Sequence, residues 1–447
     1  MAFSADVLRA VLEDHLPAGV TGLLVALSGG ADSACLLTAL VEAEACAPLG
    51  LPIRAIHIDH GLQAASVALR GSAQAFCERG EIPLTVAAVR VETAAGESLE
   101  AAARDARYRA LALELRPGEC LLTAHHAQDQ AETLLLQLLR GAGLKGLSAM
   151  PLCRPFAKGW HLRPMLNVAQ RELRAFREAI GIDAADDPMN HDPRFDRSYL
   201  RNTVWPLIEE RWPGAAAALA RSSRHIADAQ ELLEGSAAVA VERLRDGQAL
   251  SVPGLRALPE LEQVNALRHW LSAAGVAAPP ASRLSEALRQ VLTADADHLP
   301  AVEWGEFALR RYQDRLFVSA AQVPAIGAPL EWRTAAESRL ELGRGLGTLC
   351  WVPQRGGLDS RRLPDTLLVR RRSGGESLKI GARAKTQSVQ HLCQAMGVLP
   401  WMRDALPLIY ANENLVAIGD IWQDARWRAA RDEPGFACRW EDAPNLT

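Results

Sequence analysis

No stretch of the 447-residue chain approaches the roughly 18 consecutive apolar residues that a helix needs to cross a bilayer. The opening segment MAFSADVLRAVLEDHLP carries acids and lacks a basic start followed by an apolar run, so it reads as an amphipathic helix and not as a secretory signal. A cytoplasmic location without membrane contact is the expectation. The eight cysteines (Cys35, Cys46, Cys77, Cys120, Cys153, Cys350, Cys393 and Cys438) are scattered and never spaced as CxxC. That spacing argues against a zinc ribbon, a dithiol redox centre or an iron-sulfur cluster and leaves buried free thiols as the expectation. A strong charge of either sign is missing too. The net charge of −4 exerts no global pull on nucleic acid, so any such contact must come from local patches. One patch exists, between Arg355 and Lys385, where nine basic residues stand against three acids. The chain has no GxxxxGK followed by Ser or Thr, which disfavours a P-loop NTPase. Gly141, Gly143 and Gly146 do spell GxGxxG, but they follow a helical pattern where the dinucleotide fingerprint requires a strand.

What is present suffices for a globular protein. Hydrophobic residues make up 49% and charged residues 23% of the chain, enough to bury a core, and the length implies two or three domains. From Leu23 to about Arg140, short apolar runs alternate with amphipathic stretches, the pattern of strands joined by crossover helices. It predicts strands over Leu23 to Leu27, Ile53 to Ile58, Leu84 to Arg90 and Cys120 to Thr123. Helices are expected near Ser33 to Cys46, Ala64 to Arg79, Ser98 to Leu115 and Gln128 to Arg140. The fold class is therefore α/β, with a doubly wound parallel sheet in the N-terminal domain, 1–215. A helical middle domain, 216–320, follows from helical patterns with no long strand signal among them. The stretch AQVPAIGAP, from Ala321 to Pro329, opens an expected linker over 321–366. Short β-like runs around one helix then suggest a small α+β C-terminal domain, 367–447.

The most informative string is LLVALSGGADS, an apolar strand running into Ser28, Gly29, Gly30, Ala31, Asp32 and Ser33 before a helix. Two glycines let backbone N–H groups close around an anion, and the helix N-terminus faces it with partial positive charge. Asp32 would repel phosphate by itself, and its presence is explained if it holds magnesium or acts as a base. His125, Asp129 and Glu132, spaced i, i+4 and i+7, are expected on one face of a helix and suit a magnesium or substrate site. Glu100, Arg104 and Arg107 share a face in the same way; beside a phosphate loop, the arginines become candidates to stabilise developing charge.

The SGGADS string resembles the signature of the N-type ATP pyrophosphatases, which adenylate a carbonyl oxygen and let a nucleophile displace AMP. IHIDHGLQ (Ile56 to Gln63), SLEAAARDARYRAL (Ser98 to Leu111), TAHHAQDQAETLLLQLLRGAGLKGLSAM (Thr123 to Met150) and DDPMNHDPRFDRSYLRN (Asp186 to Asn202) are similar to consecutive motifs of the tRNA(Ile)-lysidine synthetase family. The resemblance implies a reaction in which the wobble cytidine of tRNA(Ile) with a CAU anticodon is adenylated by ATP, after which free L-lysine displaces AMP. It further implies catalytic roles for Asp32, Arg104 first and Arg107 second, His125, Asp129 and Glu132, with magnesium on Asp32 and Asp129. Asp187, Asn190, Arg197, Arg201 and Asn202 fall in the string similar to the family's last catalytic-domain motif, and are expected to bind substrate. The segment from Arg370 to Trp422 resembles the family's tRNA-binding C-terminal domain, pointing to Arg370, Arg371, Arg372, Arg383, Lys385, Trp401 and Arg403. There the chain departs from the family pattern: Val389, Gln390 and His391 stand where a pair of lysines is expected. The rivals are a thiolase of the same superfamily, disfavoured by the missing CxxC, a glutamine-dependent amidating relative, and a noncatalytic nucleotide- or RNA-binding module. A homodimer is left open.

Overall fold

The computed structural model describes residues 2–59, 65–91, 99–182, 192–294, 299–333 and 337–446. The chain divides into two compact units, Met1–Leu233 and Glu234–Thr447.

The first unit is built on strands β1 (Gly22–Ala26), β2 (Ile53–Asp59), β3 (Leu84–Ala88), β4 (Glu119–Leu122), β5 (Cys153–Phe156) and β6 (Gly159–Leu162). Between them run helices α1 (Ala5–His15), α2 (Ala31–Cys46), α3 (Ala65–Arg79), α4 (Leu99–Glu114) and α5 (Ala127–Leu139). The strand order is β3-β2-β1-β4-β6-β5, parallel except for β5. β1 is buried along its whole length, as a strand covered by helices on both faces must be, and this is why it reads as an unbroken apolar run. Leu23, Leu27, Leu36 and Leu40 form one face of the core, and Leu24, Ile56, Leu111 and Leu121 the other. The four predicted strands and four predicted helices are present with ends shifted by one or two residues. The β5–β6 hairpin, which extends the sheet beyond β4, is additional. Chain order reverses between β1 and β4, so a crevice opens past their carboxyl ends, where ligands of open α/β sheets bind.

The helix Ala215–Leu244 continues from the first unit into the second. To the helices expected over 216–320 the structure adds a five-stranded antiparallel sheet, whose strands include Ala301–Trp304, Phe307–Tyr312 and Arg315–Ala320. Leu267, Trp270, Leu284 and Val291 pack there with Leu309 and Leu316.

The linker expectation for 321–366 is corrected. Its first residues, 321–329, lack regular structure, but strands Leu330–Arg333, Arg339–Glu341 and Thr348–Leu358 follow. Trp332, Leu349 and Leu358 are fully buried in one core with Val369, Leu392 and Ile409, and Trp332 meets Trp351 edge-on at 5.1 Å. Strands Leu330–Arg333 and Thr348–Leu358 therefore belong to the packed C-terminal fold, and the proline-rich opening is a lead-in to it.

Candidate active site

The loops leaving β1 and β4 flank the reversal point and shape a cleft of about 640 Å³. On the β1 side the chain turns through Gly29, at φ +85°, and a Cβ there would overlap the Leu69 carbonyl, so only glycine fits. Ser33 Oγ donates to the Gly30 carbonyl (2.9 Å) and accepts from the Ser28 amide (3.1 Å), while the Gly30 amide donates to Ser28 Oγ (3.3 Å). These bonds hold the loop shut on itself. Gly30 is the N-cap of α2 and supplies no capping side chain, which leaves first-turn N–H groups of the helix for an anion. Ser28, Gly30, Ala31, Asp32 and Ser33 all line the cleft, and the Asp32 side chain is 44% exposed there.

On the β4 side, α5 begins at Ala127, so the expected three-residue helical stripe is corrected: His125 reaches the cleft from the preceding loop. The N-cap is His126, which sequence reasoning passed over. Its Nδ1 accepts from the Gln128 amide (3.2 Å), and its Nε2 lies 3.6 Å from Asp32 Oδ2 and 3.5 Å from Asp129 Oδ2. Accepting that cap bond requires a bare Nδ1, so the proton sits on Nε2, between the two carboxylates. Burial alone would lower the proton affinity of His126, but Asp129 and Asp32 outweigh it and the net shift is upward.

Asp129 and Glu132 are held by the two arginines expected to bind substrate. Asp129 Oδ1 accepts from Arg201 Nη2 (2.7 Å) and Arg197 Nη2 (3.1 Å), and its Oδ2 accepts from the His126 amide (3.1 Å). Glu132, fully buried, accepts from Arg201 Nε (2.8 Å), Arg201 Nη2 (2.7 Å) and Arg197 Nε (3.0 Å). Burial would raise the Asp129 carboxyl, but His126, Arg197 and the other cations around it hold it well below the usual carboxylate range. Arg201 and Asn202 lie on a π-helical turn, Leu200–Val204, a backbone form that often marks functional sites. With both Asp129 oxygens engaged, Asp32 is the lining carboxylate whose surroundings suit magnesium, an ion that commonly takes one protein carboxylate and completes its shell with phosphate and water.

Arg107 lines the cleft, and burial lowers its pKa. Arg104 is exposed and stacks its guanidinium over the Tyr108 ring at 5.0 Å. Of the two arginines, Arg107 and not Arg104 is among the residues lining the cleft. Arg177, on the helix Gln170–Ala179, also lines the cleft and was missed, because nothing in its local string marks it. Asp187 and Asn190 lie outside the described residues. Cys35 and Cys120 are buried, and burial pushes each thiol up to about 12, which makes them poor nucleophiles.

In the second unit, Arg371, Arg383 and Lys385 are exposed. Arg370 instead stacks on the Tyr410 ring at 4.1 Å, and Arg372 is half-buried. Trp401 packs edge-on against Phe317 at 5.5 Å beneath the Arg310 guanidinium, and Arg403 donates to the Val398 carbonyl (3.3 Å).

Comparison with known proteins agrees along the chain. Residues 4–208 match the family described as a PP-loop domain, 250–317 the TilS substrate binding domain, and 367–440 the TilS substrate C-terminal domain. The chain is 37% identical to a tRNA(Ile)-lysidine synthase of Alkalilimnicola ehrlichii, covering 93% of this chain and 92% of that protein. It is 38% identical to those of Xanthomonas axonopodis pv. citri and Pseudomonas aeruginosa, covering 93% of this chain in each case and 96% and 95% of the relatives.

Proposed function

The chain belongs to the tRNA(Ile)-lysidine synthase family, and from that membership we infer that it joins free L-lysine to the wobble cytidine of tRNA(Ile) with a CAU anticodon. ATP is consumed, and AMP and pyrophosphate are released. The observation that carries the reading is the self-bonded Ser28–Ser33 loop at the reversal point, with one open carboxylate, Asp32, inside an anion-binding helix N-terminus.

In the first half-reaction the cytosine carbonyl oxygen attacks the α-phosphate, and the bond to pyrophosphate breaks. The α2 N–H groups and Arg107 stabilise the charge that grows on the phosphate oxygens and the leaving group. Asp32 is the residue that would hold magnesium, which when bound neutralises triphosphate charge. In the second half, the lysine amine attacks the adenylated carbon and AMP leaves. That amine is protonated at neutral pH, with an ordinary pKa of about 10.4, so it must lose a proton first. Asp32 accepts it, because Asp129 is committed to Arg197 and Arg201. Arg201 lines the cleft and is held with Arg197 on the buried Glu132, and these two arginines with Asn202 are the residues that bind substrate in this reading. Residues 1–215 form the catalytic domain, 216–320 a tRNA-binding middle domain, and the C-terminal fold grips tRNA through Arg371, Arg383 and Lys385. The reaction takes place in the cytoplasm; among the described residues no helix is long and apolar enough to cross a membrane.

The reading is tested by incubating the protein with ATP, isotopically labelled lysine and the CAU-anticodon tRNA, then digesting the RNA and weighing its nucleosides. A labelled nucleoside of the mass of cytidine plus lysine less water is expected. Label absent from the nucleosides while ATP is consumed would contradict it.

A further inference from the structure

A chain of polar side chains leads from His125 and Thr123, at the cleft wall, to His161 and Arg163, which none of the roles above uses. Arg163, on the strand side, is almost wholly buried, as are His161 and Thr123. Arg163 Nη2 lies 3.2 Å from His161 Nδ1, His161 Nε2 lies 2.9 Å from Thr123 Oγ1, and Thr123 Oγ1 lies 2.8 Å from His125 Nδ1. The far end is fixed by Arg163 Nη1, which donates to the Pro151 carbonyl (2.6 Å).

We infer that Arg163 and His161 act through Thr123 to hold His125 in a single tautomer, with Nδ1 bare and Nε2 protonated, so that the cleft meets a neutral N–H donor in place of a base. The inference rests on the adenylating role proposed above for what it means in the reaction, but not for the tautomer itself.

The direction of every bond follows from its one unambiguous member. A guanidinium has donors and no acceptor, so His161 Nδ1 must accept from Arg163. His161 is neutral, since burial and then Arg163 push it down to about 2, and its one proton is therefore on Nε2. That N–H donates to Thr123 Oγ1. Thr123 Oγ1 has one other partner among the described residues, His125 Nδ1, and a hydroxyl buried with two donors would leave its own proton without an acceptor. The hydroxyl therefore donates to His125 Nδ1. Burial, opposed by Asp129 and reinforced by Arg163 and Arg107, keeps His125 from taking a second proton. Nε2 is left carrying the proton, as a donor suited to a phosphate oxygen whose negative charge grows during adenylation. Arg163, His161 and Thr123 are thus positioning residues. The buried positive charge of Arg163 acts at two removes, through proton direction and not by touching nucleotide.

The test uses the full chain labelled with 15N-histidine, and long-range 15N–1H correlation spectra that distinguish protonated from bare ring nitrogens. A His125→Asn chain identifies the His125 signals by their loss. The expected result is a bare Nδ1 and a protonated Nε2 on His125 without any substrate present. A protonated Nδ1, or an even mixture of the two tautomers, would overturn the inference while leaving the lysine-ligating reading untouched. As a second arm, Thr123→Val should mix the tautomers and lower kcat for AMP release by up to roughly 100-fold, the scale of losing one oriented donor, with KM for ATP changed less. Thr123→Ser restores the hydroxyl and should return both spectrum and kcat. A Thr123→Val chain that keeps the wild-type His125 spectrum would equally overturn it.

Discussion

Asp32 stands in the first turn of α2, where helix N–H groups and loop amides favour an anion, yet it is itself an anion. A carboxylate so placed loses part of the helix's attraction for phosphate unless a cation or a proton passes through it. Its side chain is 44% exposed, touches His126 and packs into no core, so its chemistry can be removed with little loss of stability. Asp32→Asn, which keeps the shape and removes the charge, is expected to lower AMP release by at least roughly 100-fold, the usual scale for losing a general base. The thermal midpoint should stay near that of the parent chain. Turnover within a few-fold of normal in well-folded protein would show that Asp32 carries neither role.

The N-terminal turn of α5 is where structure adds most to the string TAHHAQDQAET. Its capping box joins His126 to Asp129, and Arg197 and Arg201 close over Asp129 and Glu132 from a segment some 70 residues later, as the 65- to 72-residue separations of these bonds show. The folded-state pKa of Asp129 lies below its unfolded value, so its contribution to stability is complete above the ordinary carboxylate range, begins to be lost as pH falls below about 4, and is lost in full only once pH has fallen through the much lower folded-state value. Asp129→Asn should therefore cost about 3 kcal/mol at pH 7, the scale of breaking a buried ion pair. In urea unfolding followed from pH 7 to pH 3, the gap between parent and variant should stay constant down to about pH 4 and narrow below it. Parallel curves over that range would mean that the Asp129 network does not stabilise the fold. The loop after β1 was legible because a strand-to-helix junction rich in glycine and serine has few other physical uses. Which of the two adjacent histidines caps the helix was not, since neighbouring residues share the same local pattern. The partners of Asp129 could not be read either, because ion pairs across 70 residues leave no local periodicity. The sheet of the middle region escaped for a related reason: its strands are two to six residues long, too short for a period of two to stand out.

Across the whole molecule, a net negative protein must bind a polyanion through local basic surface, and the structure sorts the 355–385 patch into committed and open charges. Arg361 bridges Asp359 and Glu433, Arg362 pairs with Asp359, and Arg370 stacks on Tyr410. Arg371, Arg383 and Lys385 remain exposed. Replacing these three with alanine should weaken tRNA binding and lower the slope of log affinity against log salt by roughly 0.7 to 0.9 for each phosphate no longer neutralised. Single-turnover rate at saturating tRNA should change little. Affinity and slope both unchanged would contradict the assignment of this surface to tRNA. The proline-rich stretch at 321–329 reads as a linker by composition, but composition says nothing of Trp332 and Trp351, whose burial makes the following segment part of the C-terminal core. In the function proposed for this chain, one cleft couples ATP cleavage between the α- and β-phosphates to lysine transfer onto tRNA(Ile). It is tested most directly by measuring pyrophosphate and AMP release with ATP, lysine and CAU-anticodon tRNA(Ile), each withheld in turn. AMP release that requires all three substrates is the predicted result, and equal release with another amine or with a sulfur donor in place of lysine would contradict it.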